Sequence, residues 1–178
     1  PTTTRRQRQM CIRDSYYAEP VVGGGLKTDL NLHHQGIPEL TTVLDWIGSL
    51  VPLVSHKFTN TDKFDEKNYR LISDQGGGKY NFNIKAFELV HCWGITYNKG
   101  EGVEMHNHFP YALSFCYYVN LPSGSSPLVI NNEIINPKAG QVVFFLSSAY
   151  HSVPPCSVDG RCSVVGNIMY IDKSYIRV

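Results

Sequence analysis

From Phe87 to Ile171 the chain is a succession of short apolar or alternating runs, each bounded by Gly, Pro, Asn or Ser. They are Phe87–Tyr97, Val103–His108, Tyr111–Asn120, Pro127–Ile130, Gln141–Leu146, His151–Val153 and Arg161–Ile171. Runs of this length, rich in β-branched and aromatic residues, read as strands separated by turns. Seven or eight short strands within about 90 residues can share one core only by curling into a sandwich or barrel, here of jelly-roll type. The expected fold is mainly β, a jelly roll with one or two flanking N-terminal helices.

The N-terminal half contributes little to that sheet. Leu40, Val43, Leu44, Ile47 and Leu50 recur at helical spacing, which predicts an amphipathic helix over Pro38–Leu50, closed by Pro52 and packed on the outside of the sheet. Tyr16–Lys27, ending in Gly23-Gly24-Gly25, reads as loop with at most one strand. Phe58–Tyr80 is polar and irregular. It closes on Gly76-Gly77-Gly78, a flexible loop rather than a phosphate cradle, since no strand precedes it and no helix follows. His33, His34 and His56 lack metal-ligand spacing and read as exposed or turn histidines. Residues 1–15, with four arginines and almost no apolar periodicity, read as a non-native tail like the adaptor translations at the ends of some metagenomic sequences. The natural start then lies outside the sequence, and residues 16–178 are expected to form a single domain.

Composition excludes several classes. Sixteen Lys and Arg stand against fifteen Asp and Glu, so no electrostatic footprint for nucleic acid is indicated. No apolar run reaches the roughly 18 residues of a membrane-spanning helix. The five cysteines are odd in number and form no CxxC pair; Cys92 and Cys116, inside apolar runs, read as buried reduced thiols. No apolar segment follows Arg5, Arg6 and Arg8, so no signal peptide is read and a reducing, cytoplasmic setting is expected. A homo-oligomer is left open.

Three constellations carry chemistry. In His106-Asn107-His108, residues i and i+2 of a strand share a face with backbones about 7 Å apart, so both imidazoles can reach one metal. Imidazole suits Fe, Zn, Cu and Ni, and packing alone would account for the pair equally well. His151 opens another short run forty-three residues after His108, where a jelly roll can bring it opposite the first strand; a hydrogen-bonded strand-edge histidine is the alternative. Arg161 follows ten residues later, with Ser163 on its face. A buried guanidinium demands an anion, either a ligand carboxylate or a structural partner such as Asp159 or Glu133.

These pieces, in this order, resemble the iron(II)- and 2-oxoglutarate-dependent oxygenases over Phe87–Ile171. That family carries HxD or HxE, a distal His, and an Arg about ten residues further on, often as R-x-S, on a double-stranded β-helix. The resemblance implies that His106, His108 and His151 hold Fe(II) as the catalytic metal site. It implies that Arg161, Ser163 and Tyr118 hold the far carboxylate of 2-oxoglutarate, with Tyr97 as a weaker contact. For both tyrosines ordinary aromatic core is the competing explanation. Dioxygen and an unidentified substrate complete the set, with succinate, CO₂ and a hydroxylated product as the outcome. The chain departs from the family at His108, where a carboxylate is usual. Glu104, two residues before His106, is the alternative third ligand.

Two rivals stand beside this reading. Gly100 with His106-x-His108 opens a cupin motif, but Ala112 and Leu113 occupy the places of its Glu, and Gly140 lies eleven residues from His151 rather than three. A cupin-type three-His metalloenzyme would also leave Arg161 and Ser163 unexplained. A non-catalytic jelly-roll module, with incidental histidines or a closed structural zinc, comes from a different class. The segment Ser55–Tyr80 and the turn Leu121–Pro127 are candidate pocket rims.

Overall fold

The computed structural model describes residues 19–20, 23–58 and 87–170. The tail at 1–15 and almost all of the irregular segment Phe58–Tyr80 lie outside the described residues. The elements in chain order are β1 (Glu19–Pro20), β2 (Leu26–Lys27), a 3₁₀ turn at Leu32–His34, α1 (Pro38–Phe58), β3 (Phe87–Tyr97), β4 (Val103–His106), β5 (Leu113–Asn120), β6 (Leu128–Ile130), β7 (Glu133–Ile135), β8 (Val142–Leu146), β9 (His151–Val153) and β10 (Arg161–Tyr170). Among the described residues the strands form a six-stranded sheet, β1-β2-β3-β10-β5-β8, and a four-stranded sheet, β4-β9-β6-β7, with antiparallel pairing throughout. The architecture is the mainly β jelly roll that the run pattern predicts.

The larger sheet is buried on both faces, and strand alternation sorts its side chains between two cores. On the outer face Cys92, Leu113, Phe115, Val164 and Ile168 pack with Leu40, Ile47 and Val51 of α1. On the inner face Ile95, Tyr97, Cys116, Tyr118 and Phe145 pack with Leu128 and Val153 of the smaller sheet. Double burial explains why β5 and β10 read as almost unbroken apolar runs. Each large side chain so buried contributes roughly 1.5–3 kcal/mol. Gly166 is required where it stands: a Cβ there would meet the Phe115 ring and approach Leu89 Cδ1 to 2.9 Å.

The helix runs further than expected. Pro38 opens it in the position a proline tolerates, and Glu39 complements its N-terminus. Pro52 does not close it; α1 continues to Phe58. Val51 and Ser55 extend the buried stripe of Leu40 and Ile47, and that packing outweighs the lost proline hydrogen bond. A second difference is β7, joined to β6 by Asn131-Asn132 with φ 47° and 69° and paired Ile130 to Glu133. That is a two-residue hairpin turn whose left-handed positions asparagine accepts. Cys92, Cys116 and Cys156 are buried free thiols, whereas Cys162 is disulfide-bonded. Among the described residues no helix is long and apolar enough to cross a membrane.

Candidate active site

The small sheet brings two histidines face to face. β4 ends at His106 and β9 begins at His151, and the two are direct Cα partners. The register slips between Val103 and His106, and the residues within that slip, Glu104 and Met105, are exposed. His108 lies two residues beyond β4, its backbone N–H donating to the Ser147 carbonyl at 2.7 Å. The ring nitrogens of His106, His108 and His151 converge, with ligating atoms all within 4.8 Å of one another and 3.2 Å between the Nε2 atoms of His106 and His108. The Glu104 carboxylate is not in this cluster; instead the Glu104 carbonyl faces His106 Nδ1 at 2.7 Å.

Each imidazole is turned by a partner on its far nitrogen. A carbonyl can only accept, so His106 Nδ1–H donates to Glu104 O and His151 Nδ1–H to Ala149 O at 3.2 Å. His108 Nδ1 faces the amide oxygen of Asn167 at 2.7 Å and Ser114 Oγ at 3.1 Å. With Nδ1 protonated, every Nε2 carries a lone pair, which is how metal-bound histidines are held. Burial, and then the charge His106 would carry, push His108 down to about 4 despite the Asn167 bond. Burial first and His106 second push His151 down to about 3. Both rings are therefore neutral at pH 7. The converging ring nitrogens can share one cation. The donor set fits a divalent transition metal.

The opposite end of the same cavity, which measures about 280 Å³, holds a cation. Arg161 is 1% exposed, yet its bonds are two long ones to neutral acceptors: Nε to Ser126 O at 3.3 Å and Nη1 to Ser163 Oγ at 3.4 Å. Among the described residues Nη2 has no partner, and neither does the Tyr118 hydroxyl, which lies beside the guanidinium and the Cys116 thiol without good hydrogen-bond geometry. Tyr97 and Tyr118 flank the guanidinium, at 5.3 and 5.4 Å from its carbon to their ring centroids. Burial pushes both phenols up, so they stay protonated and can donate. Asp159 is exposed and accepts from the Lys99 backbone, and Glu133 is exposed as well, so neither serves as structural partner. A guanidinium this buried without an anion is costly, and its free donors fit a carboxylate.

Register explains why the ends face one cavity. On β3 and β10 the paired positions Tyr97–Arg161, Ile95–Ser163, Trp93–Val165 and His91–Asn167 form successive rungs on the inner face. They span about 20 Å at roughly 3.3 Å per residue. Arg161 stands at one end and Asn167, bonded to His108, at the other. Asn167, Ser114, Trp93 and His91, the last hydrogen-bonded to the Tyr111 hydroxyl at 2.9 Å, are site residues that no sequence motif marks. The usable signal is parity: Asn167 is an even step from Arg161 and His91 an even step from Tyr97. The turn Leu121–Pro127 borders a separate depression with Asn136–Ala139, and reaches the cavity only through the Ser126 carbonyl on Arg161. His34 is exposed, and His33 sits half-buried in the 3₁₀ turn.

No protein-family model matches the chain, and no curated protein does. Solved structures do. A 2OG-Fe(II) oxygenase family oxidoreductase from Burkholderia pseudomallei matches with a TM-score of 0.57 and 15% identity, over 94% of this chain and 80% of that one. A Pseudomonas putida prolyl-4-hydroxylase matches with a TM-score of 0.59 and 19% identity, over 94% and 86%. At these identities the likeness is one of fold: the chain has the antiparallel jelly-roll fold of 2OG-Fe(II) oxygenases, with a three-histidine cluster in its cavity.

Proposed function

We propose that the protein is a non-haem iron(II)- and 2-oxoglutarate-dependent oxygenase that hydroxylates a substrate. The observation carrying this reading is one cavity with three converging imidazoles at one end and, at the other, a buried guanidinium with no carboxylate beside it among the described residues. His106, His108 and His151 hold the metal. Arg161, Ser163 and the Tyr118 hydroxyl take the far carboxylate of 2-oxoglutarate, and Tyr97 walls the same pocket. When bound, iron and 2-oxoglutarate supply the oxidative decarboxylation that consumes dioxygen and drives hydroxylation. The protein's part is to orient: backbone carbonyls set the His106 and His151 tautomers, and apolar Ile95, Leu128, Phe145 and Val153 keep water from the charged ends. Three protein ligands leave open positions, whereas a closed structural zinc site needs a fourth; among the described residues none joins the cluster.

The test is anaerobic titration of the Fe(II)-loaded protein with 2-oxoglutarate, following the visible metal-to-ligand charge-transfer band. The expected result is a band in the wild type that is lost in Arg161→Ala. Iron binding without a band would shift the assignment to a three-His metalloenzyme of cupin type. Failure to bind any metal would leave a non-catalytic jelly-roll module.

A further inference from the structure

A histidine ligand in place of a carboxylate brings a requirement the carboxylate does not have. Its proton must sit on the nitrogen facing away from the metal, and something must accept it. We infer that Asn167 is the positioning residue that makes His108 competent as a ligand; the inference rests on the metal-site reading above.

The hydrogen-bond chain is closed and buried. Ser147 and Ser114 are 0% exposed and Asn167 4%, three buried polar side chains. Ser114 Oγ lies 2.7 Å from Ser147 Oγ and 2.9 Å from the Asn167 amide oxygen, which in turn lies 2.7 Å from His108 Nδ1. One direction of donation satisfies every hydroxyl: Ser147 donates to Ser114, Ser114 donates to Asn167, and His108 Nδ1–H donates to the same amide oxygen. Donors thus arrive at the amide oxygen from both sides, and it ends the chain. Turned over, the amide would donate to His108 Nδ1, place the imidazole proton on Nε2 and remove the lone pair from the cluster. Partners of this kind typically change metal affinity 10–100-fold when removed. In the orientation that frees Nε2, both serine hydroxyls and the Asn167 amide oxygen are hydrogen-bonded.

The test compares Asn167→Leu and Asn167→Asp by anaerobic Co(II) titration, reading affinity and the visible ligand-field spectrum, beside thermal unfolding of the metal-free proteins. Aspartate keeps the acceptor and loses the amide donors, so it should bind cobalt at least as tightly as wild type. Leucine should bind 10–100-fold more weakly with an altered spectrum. Equal affinity in Asn167→Leu, or equal weakening in both variants, would overturn the inference. Should Asn167→Leu not fold, the ¹⁵N shifts of His108 in the metal-free wild type decide alone, assigned by their loss in His108→Gln. A protonated Nδ1 and bare Nε2 support the role, and the reverse tautomer refutes it. If wild-type protein takes up no cobalt, the metal reading has failed, and those shifts still decide what Asn167 does.

Discussion

The sharpest consequence of the cavity lies in the stability of Arg161 variants. In the ligand-free protein the guanidinium is 1% exposed and held by bonds of 3.3 and 3.4 Å, with Nη2 unpartnered. Replacing even a buried ion pair by apolar side chains of similar volume is commonly neutral or stabilising by about 1–4 kcal/mol, and a guanidinium without an anion has less attraction to lose. Against that stand two weak hydrogen bonds, each worth about 1 kcal/mol or less. Arg161→Met should therefore leave the ligand-free Tm within a few degrees of wild type, or raise it. Ligand changes the balance. At a hundredfold excess over Kd a bound ligand adds about 2.7 kcal/mol. For a chain of this size that is a Tm rise of about 5–11 °C, at roughly 2–4 °C per kcal/mol. The assay is differential scanning fluorimetry with Mn(II) as a redox-inert stand-in for iron, with and without 2-oxoglutarate. Glutarate serves as the control that keeps both carboxylates and lacks the keto oxygen. Wild type should show the rise and Arg161→Met should not. A ligand-free loss of 3 kcal/mol or more in Arg161→Met, with the 2-oxoglutarate shift intact, would refute the reasoning and make the guanidinium structural.

Three further outcomes follow from the geometry. His108→Ala should lower metal occupancy, measured by elemental analysis after dialysis, and Glu104→Ala should leave it unchanged, because the Glu104 carboxylate lies outside the converging set. Gly166→Val should cost about 1–3 kcal/mol in urea unfolding by driving a side chain into Phe115, since overpacking of a filled core has that size, while metal binding persists. In metal-free protein His108 and His151 sit at about 4 and about 3, below the unfolded value, so the folded state binds fewer protons than the unfolded one. Their contribution to stability is complete above roughly pH 6.5. It should fall as pH drops toward 4 and 3, a slope in the urea midpoint that His108→Gln/His151→Gln should flatten.

The sheet was legible because double burial writes itself into composition. A strand covered on both faces has no polar alternation to obscure it, and the predicted bounds of β3 match the observed ones. The three histidines and Arg161 were legible because strand geometry turns i, i+2 spacing into a shared face, and the structure does bring these residues to one cavity. What escaped was decided by contacts distant in sequence. Pro52 is a stop signal locally, but Val51 and Ser55 have buried places to fill, so α1 runs through it. β7 is three residues long and mostly exposed, too short for periodicity, and only the Asn131-Asn132 turn betrays it. Asn167 is the instructive miss. A lone amide in an apolar strand has no motif, yet its partner lies 59 residues away at His108 Nδ1. The departure from a carboxylate at position 108 is itself the clue. A histidine there must have its far proton accepted, and the inner face of β10, already marked by Arg161, is where an acceptor of the right parity can stand.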